Sequence, residues 1–371
     1  MSVEFLDAQK GDHISSERLV SVLTDVEIDH FDSNDQAILS QMLTDIKEGQ
    51  FELTNHEDFY LSKAEVKMWP DYLVFRYKFR KLATEKIETN FPLYLLIEPA
   101  SICNLRCVMC FQTDTSFSGN REYMGRMDLN LFKRLIDEAQ AGGTRAITLA
   151  SRGDPTMHKQ LPEMLQYMKG KFLEVKMNTN GILLTDHLSR AILNSEVTDL
   201  VFSIDSYEKE NYEEIRKKAS FDKVLANIQR FMSIRENEFP AHRTTVRVSG
   251  VKVDEKQDRE AFSQFWGELV DHVVLVDLQE RWDTYANDYI EADLLLPCGD
   301  LWERMYVWFD GTVNPCDVDY KSTLAVGNVN ISSIENVWNG VAYRELRQKH
   351  LDGDRQKCGV CRQCSAWTKS G

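Results

Sequence analysis

Between about residues 93 and 285, short apolar runs alternate with amphipathic segments, and this alternation restricts the chain to few folds. The stretches 94–98, 146–150, 173–177, 200–205, 244–253 and 273–278 have the length and apolar content of buried strands. Between the first two, Leu131, Leu135 and Ile136 share a helical face behind Asp128, a residue suited to capping a helix start. Further helical stretches fall at about 161–168, 188–193 and 221–232. Six strands separated by helices predict parallel βα units, an α/β architecture with ligands gathered at the carboxyl ends of the strands.

The flanks read differently. In residues 1–92, Asp32-Ser33-Asn34-Asp35 marks a helix start, with Ile38, Met42, Leu43 and Ile46 at helical spacing before Gly49. A second helix is expected over about 71–82. This region reads as a mostly helical cap or docking region. Arg76, Lys78, Arg80, Lys81 and Lys86 make it locally basic, either as a solvated helix face or as a dock for an acidic partner or phosphorylated substrate. The 371 residues suit two or three domains, with boundaries expected at 1–92, 93–285 and 286–371. A net charge of −15 argues against nucleic acid as the main partner. No apolar run reaches the roughly 18 residues of a membrane span. The first residues lack the basic-then-apolar pattern of an export signal. A cytoplasmic protein without a membrane partner is therefore expected.

Eight cysteines fall in two groups. Cys103, Cys107 and Cys110 follow the first strand, spaced by three residues and then two. Thiolates this close suit a soft metal centre or an iron–sulfur cluster. Three thiolates on a four-iron cluster leave one iron open for chemistry; the alternative is a structural zinc site, which wants a fourth ligand nearby. The second group is Cys298, Cys316, Cys358, Cys361 and Cys364. Between its first two members, 305–309 reads as a strand and Asp310-Gly311 as a tight hairpin turn. Spacing alone leaves zinc and an iron–sulfur cluster open here. A disulfide framework belongs to small secreted chains, so metal binding is the better account of both groups.

The CxxxCxxC spacing after a first strand resembles the signature of the radical S-adenosylmethionine (radical SAM) superfamily. The resemblance implies a partial (β/α)6 TIM-like barrel and a 4Fe–4S cluster on Cys103, Cys107 and Cys110. It also implies S-adenosylmethionine (SAM) on the open iron, cleaved reductively to a hydrogen-abstracting 5′-deoxyadenosyl radical. Ser151-Arg152-Gly153-Asp154-Pro155 stands where the family has Gly-Gly-Glu-Pro, and implies that Ser151, Gly153 and Asp154 hold the cofactor's amino group. Arg152 and Asp154 depart from that motif. Asn180 and Ser203 fall at strand ends that approach the ribose or carboxylate. Arg216 falls where a carboxylate-gripping arginine is common, and 273–278 could flank the adenine or simply form a core strand. Met109 replaces a common aromatic residue, which leaves Phe111 to cover the adenine.

The C-terminal cysteines resemble the SPASM extension, or its shorter Twitch form. Five cysteines rather than seven imply one auxiliary 4Fe–4S cluster in a small C-terminal domain. Its expected ligands are Cys298, Cys316 and two of the last three, first Cys358 and Cys361. Cys364 is then another ligand or a free thiol able to donate a hydrogen atom to a substrate radical. The shortened tail resembles the aminocyclitol dehydrogenase type. Dehydrogenation, epimerisation or dehydration of a small polyhydroxylated substrate is therefore the leading expectation, with a reductase such as flavodoxin or ferredoxin as partner. Modification of a ribosomally made peptide, or a non-catalytic iron–sulfur or zinc scaffold, are the alternatives.

Overall fold

The computed structural model describes residues 6–7, 13–25, 31–278, 285 and 296–364. The chain divides into two compact units: Gln9–Glu88, and Met1–Ala8 together with Thr89–Gly371.

The smaller unit carries helices α1 (Ser16–Thr24), α2 (Ser33–Lys47), α3 (Asn55–Lys63) and α4 (Trp69–Glu85). The Asp32 side chain accepts from Asp35 N and starts α2, as its position in the sequence indicates. Pro70 lies in the first turn of α4, where its missing N–H costs nothing. The basic residues of α4 are largely neutralised within the unit. Fully buried Glu57 takes Arg76 at 3.0 Å and also Arg80, and Lys78 pairs with Asp35 at 2.6 Å. An acidic docking partner is not needed to account for them.

The larger unit is built on parallel strands β1 (Tyr94–Ile97), β2 (Ala146–Leu149), β3 (Glu174–Thr179), β4 (Asp199–Ser203), β5 (Thr245–Lys252) and β6 (His272–Asp277). They lie side by side in chain order. Helices α5 (Leu129–Ala141), α6 (Leu161–Met168), α7 (Asp186–Asn194), α8 (Phe221–Glu238) and α9 (Arg259–Gly267) intervene. The hairpin expected near Asp310-Gly311 is present as β7 (Arg304–Val307) and β8 (Thr312–Asn314). Its first strand does more than form a local knuckle: β7 pairs in parallel with β1, and β8 carries β9 (Gly327–Asn328), so the C-terminal segment continues the barrel sheet. At the opposite edge Leu6–Asp7 pairs antiparallel with β6.

Alternation along each strand separates two faces. Leu95, Ile97, Ile147, Leu149, Met177 and Phe202 face the helices and join one core with Phe132, Leu135, Met164 and Val224. Burying each such side chain contributes about 1.5–3 kcal/mol, so this face anchors the fold. The opposite, helix-free face is mixed: Leu96, Tyr306 and Trp308 form an apolar patch, whereas Glu174, Lys176, Asn178 and Arg247 are polar. Among the described residues no helix is long and apolar enough to cross a membrane.

Candidate functional site

The first cysteine loop leaves β1 and is locked from several sides. Arg106–Cys107 pairs antiparallel with Arg216–Lys217, and Val108 N donates to Ile215 O at 2.9 Å. Gln112 Nε2 donates to Ser101 O at 2.8 Å and Arg152 O at 2.6 Å, which ties the loop to the turn after β2. Gly153 is required at that turn by close approach: an added Cβ would lie 2.4 Å from Ile102 O and 2.5 Å from Ala100 O. Asp154 N donates to Ile102 O at 3.1 Å.

Cys103, Cys107 and Cys110 carry no disulfide. Burial, chiefly, pushes the Cys103 and Cys110 thiols up to about 12, and also raises Cys107. Cys103 and Cys110 are raised further by neighbouring members of the trio. Four N–H groups point at the sulfurs. Leu105 N and Asn180 Nδ2 lie 3.4 and 3.8 Å from Cys103 Sγ, Gln112 N is 3.5 Å from Cys110 Sγ, and Arg216 Nη1 is 3.7 Å from Cys107 Sγ. Half-buried thiols held neutral by their surroundings despite the nearby Arg216, and set among N–H donors, fit an iron–sulfur cluster: iron supplies the positive charge that deprotonates them, and N–H bonds to cluster sulfurs tune potential. Among the described residues no group of three or more His, Cys, Asp or Glu side chains closes on a single metal-ion position.

The residues expected to hold the cofactor do gather at the carboxyl ends of β1 to β4, but several are engaged by the protein itself. Both Asp154 oxygens accept from Thr179 Oγ1 at 3.1 Å, Oδ2 takes Asn180 N at 2.7 Å, and Oδ1 takes Thr156 N at 2.9 Å. Asp154 therefore fixes the ends of β2 and β3 relative to one another. Asn180 Nδ2 donates to Asn104 Oδ1 at 2.9 Å and its Oδ1 accepts from Ile182 N, so it steadies the cysteine loop. Arg216 is spent on Asp205, with Nε–Oδ2 at 2.7 Å and Nη2–Oδ1 at 3.0 Å, rather than standing ready for a ligand carboxylate. Phe111 stacks on Tyr320 with centroids 4.7 Å apart, so one ring face is covered by the C-terminal segment.

Ser151 and Ser203 remain uncommitted. Ser151 adopts φ 113°, a strained value for a residue with a Cβ, and its buried Oγ has no hydrogen-bond partner among the described residues. Ser203 stands half-buried at the end of β4 on the helix-free face.

Arg152, read only as a departure from a glycine motif, is a buried hub. Its Nε and Nη2 reach Glu98 Oε2 and Oε1 at 2.8 and 2.7 Å, Nη1 donates to Tyr320 O at 3.1 Å, and the guanidinium lies 4.5 Å from the Trp308 ring centroid. Glu98 also accepts from Phe309 N at 3.3 Å. One ion pair thus joins the end of β1, the turn after β2 and the C-terminal segment. A charged residue at the end of an apolar strand was the sequence signal for Glu98. Nothing in the sequence indicated its partner 54 residues away.

The C-terminal thiols differ in their surroundings. Cys298 and Cys316 are raised well above the usual thiol range, first by burial, and both feel Cys361 and Cys364. Cys361, pushed up to about 12 by burial, feels Cys364 before Cys358. Cys358 instead faces Lys349, Asp354 and Arg355, with Sγ 3.7 Å from Asp354 O. Cys298, Cys316, Cys361 and Cys364 thus act on one another electrostatically, while among the described residues no three of them close on a single metal-ion position. Cys316 packs against the Leu96, Tyr306 and Trp308 patch, on the helix-free face. The donor set, one buried and three half-buried thiols, suits a second iron–sulfur cluster.

In this half-barrel with a three-thiol loop and a second thiol group, residues 97–265 match the family model of the radical SAM superfamily, and residues 298–365 match that of the iron–sulfur cluster-binding SPASM domain. The radical SAM domain implies SAM and a 4Fe–4S cluster, and the SPASM domain implies an auxiliary iron–sulfur cluster. Among curated relatives, the tungsten-containing aldehyde ferredoxin oxidoreductase cofactor-modifying protein of Pyrococcus furiosus is 33% identical over 30% of this chain and 30% of its own length. The mycofactocin maturase MftC of Mycobacterium tuberculosis is 25% identical over 74% of this chain and 77% of its own. The chain thus spans less than a third of the Pyrococcus protein. Among solved structures, BtrN in complex with AdoMet and 2-DOIA aligns with a TM-score of 0.50 at 19% identity, covering 75% of this chain and 94% of that one, a likeness of fold.

Proposed function

We propose that the chain is a radical SAM enzyme that abstracts hydrogen from a small polyhydroxylated substrate, leading to its dehydrogenation, epimerisation or dehydration. When bound, the cluster on Cys103, Cys107 and Cys110 supplies the electron that cleaves SAM and so the hydrogen-abstracting radical of the family. The observation that carries the reading is the half-buried thiol trio at the carboxyl end of the sheet, ringed by four N–H donors, with Gly153 close against the loop backbone. In this reading the uncommitted Ser151 and Ser203 bind SAM, Arg216 and Asn180 hold the thiol loop, and Phe111 packs the site's edge. Cys298, Cys316, Cys361 and Cys364 hold the auxiliary cluster that accepts an electron from the substrate radical. A small reductase such as flavodoxin or ferredoxin supplies the first electron.

The all-helical character of α1 to α4 supports a small substrate, because a leader-peptide-binding domain of the winged-helix kind contributes strands. Peptide modification is the second reading, favoured by the match to a mycofactocin maturase. Anaerobically reconstituted protein given dithionite and SAM tests the class: 5′-deoxyadenosine and methionine are expected, and their absence counts against it. Incubation with candidate polyols and with synthetic peptides, read by mass spectrometry for loss of two hydrogens or of water, separates the two substrate readings.

A further inference from the structure

Along β3 the two chain neighbours Val175 and Met177 are closed into the core, while Lys176 and Asn178 between and beyond them keep accessible surface on the helix-free face. The same holds for Ser203, Arg247, Ser249 and Val251 on β4 and β5. This part of the face thus stays accessible rather than closing into a packed core. At its depth stands Lys176, beside Thr148 of β2 and Asp199 of β4 in the sheet register.

Asp199, its nearest neighbour in register, pairs with Arg247 instead, Nη2–Oδ2 3.4 Å. Arg304, another cation near Lys176, is held by Glu303 at 2.8 Å. Among the described residues Lys176 Nζ makes no ion pair or hydrogen bond. Arg247 acts on it more strongly than either nearby acid, Asp199 or Glu174. Lys176 thus keeps an accessible ammonium whose strongest charged neighbour is another cation, and an anion reaching it offsets that repulsion. On the same face, two residues nearer the thiol loop, the buried Asn178 Oδ1 has no partner among the described residues and can accept from a hydroxyl. Asn180, four residues beyond Lys176, reaches Cys103 Sγ. Four strand residues span about 13 Å, which separates Lys176 from the thiol loop along the strand.

We propose that Lys176 is a specificity-determining residue of the substrate site and that the substrate carries an anionic group, a carboxylate or a phosphate monoester, seated against it. This rests on the reading above that the helix-free face holds the substrate of a radical SAM enzyme. The anion's pairing with Lys176 orients the molecule with its hydroxyl-bearing end toward Asn178 and the thiol loop.

The test uses the reconstituted, SAM-loaded holoenzyme under anaerobic conditions, with gluconate, glucose 6-phosphate and glucose as probes. Acetylation of individual lysines by acetic anhydride is read by peptide mass spectrometry. Gluconate or glucose 6-phosphate is expected to slow acetylation of Lys176 and not of surface lysines, and whichever acts identifies carboxylate or phosphate as the recognised group. Glucose, with the same hydroxyls and no charge, is expected to give no protection. Lys176→Gln is expected to lower affinity for the protecting anion about tenfold or more, the scale of a hydrogen bond to a charged group, while Lys176→Arg retains it and serves as the folded control. Protection by neither anion, equal protection by glucose, or wild-type anion affinity in Lys176→Gln each overturns the proposal. Failure of the wider reading registers separately, as absence of 5′-deoxyadenosine from the wild type, because the labelling needs no turnover.

Discussion

The Glu98–Arg152 pair makes the sharpest structural prediction. Glu98 is fully buried and Arg152 is 2% exposed. Replacing Arg152 with Met removes the side-chain bonds at 2.8 and 2.7 Å and leaves the carboxylate with only the backbone N–H groups of Arg152 and Phe309, at 3.1 and 3.3 Å. Removing one partner of such a pair costs about 3–5 kcal/mol, because a charge stays buried without compensation. Glu98→Gln should be comparably severe, since it strands a guanidinium between Tyr320 O and the Trp308 ring. The double variant should cost less than the sum of the two by at least about 1–2 kcal/mol, since neither charge then remains. Urea unfolding of the anaerobically reconstituted proteins, followed by tryptophan fluorescence, measures all three. Single variants within about 1 kcal/mol of wild type, the value of an exposed pair, would refute the reasoning.

Other outcomes follow from the same geometry. Gly153→Ala, whose Cβ would press on Ile102 O, should displace the thiol loop and lower bound iron by about half, one 4Fe–4S cluster of two, with the auxiliary signal retained in electron paramagnetic resonance. Cys364→Ala should lose auxiliary-cluster iron while Cys358→Ala keeps it; the reverse would restore the pairing expected from spacing. Burial, then Arg247, hold Lys176 down at about 8 against Glu174 and Asp199, with Arg304 also lowering it. It is therefore charged below that pH, and protection by an anion should fade as pH rises through about 8. The same depression from 10.5 means that the folded state disfavours the ammonium by about 3 kcal/mol at neutral pH, so wild-type stability should rise between about pH 8 and 10.5. Lys176→Met should be more stable than wild type at pH 7 and lose that advantage as pH approaches 10.5, measured by urea midpoints.

The parallel sheet was legible because its outward residues, such as Ile97, Leu149 and Phe202, alternate with residues that need not be apolar, and helical stretches separate the strands. The thiol loop was legible because its three ligands are local. What pairs across the sheet was not. Arg152 reads as a flaw in a glycine motif until Glu98 is seen beside it, and Asp154 reads as a ligand until Thr179 and Asn180 fill its oxygens. Lys176 reads as one polar residue in a half-buried strand, because no local pattern shows that Asp199 is already taken by Arg247. The last three cysteines follow one another at equal spacing, so nothing local tells that Cys358 Sγ lies 3.7 Å from Asp354 O while Cys361 feels Cys364 before Cys358. The first strand of the C-terminal hairpin carried its turn signal, but its parallel partner lies more than 200 residues earlier.

The central claim is an incompletely ligated iron at the Cys103, Cys107 and Cys110 loop. Mössbauer and electron paramagnetic resonance spectra of anaerobically reconstituted, 57Fe-enriched protein, recorded with and without SAM, test it most directly. About eight irons per chain in two 4Fe–4S clusters are expected, with one site-differentiated iron whose signal shifts when SAM is added and disappears in Cys107→Ala. Zinc filling the trio, or spectra unchanged by SAM, would contradict the account.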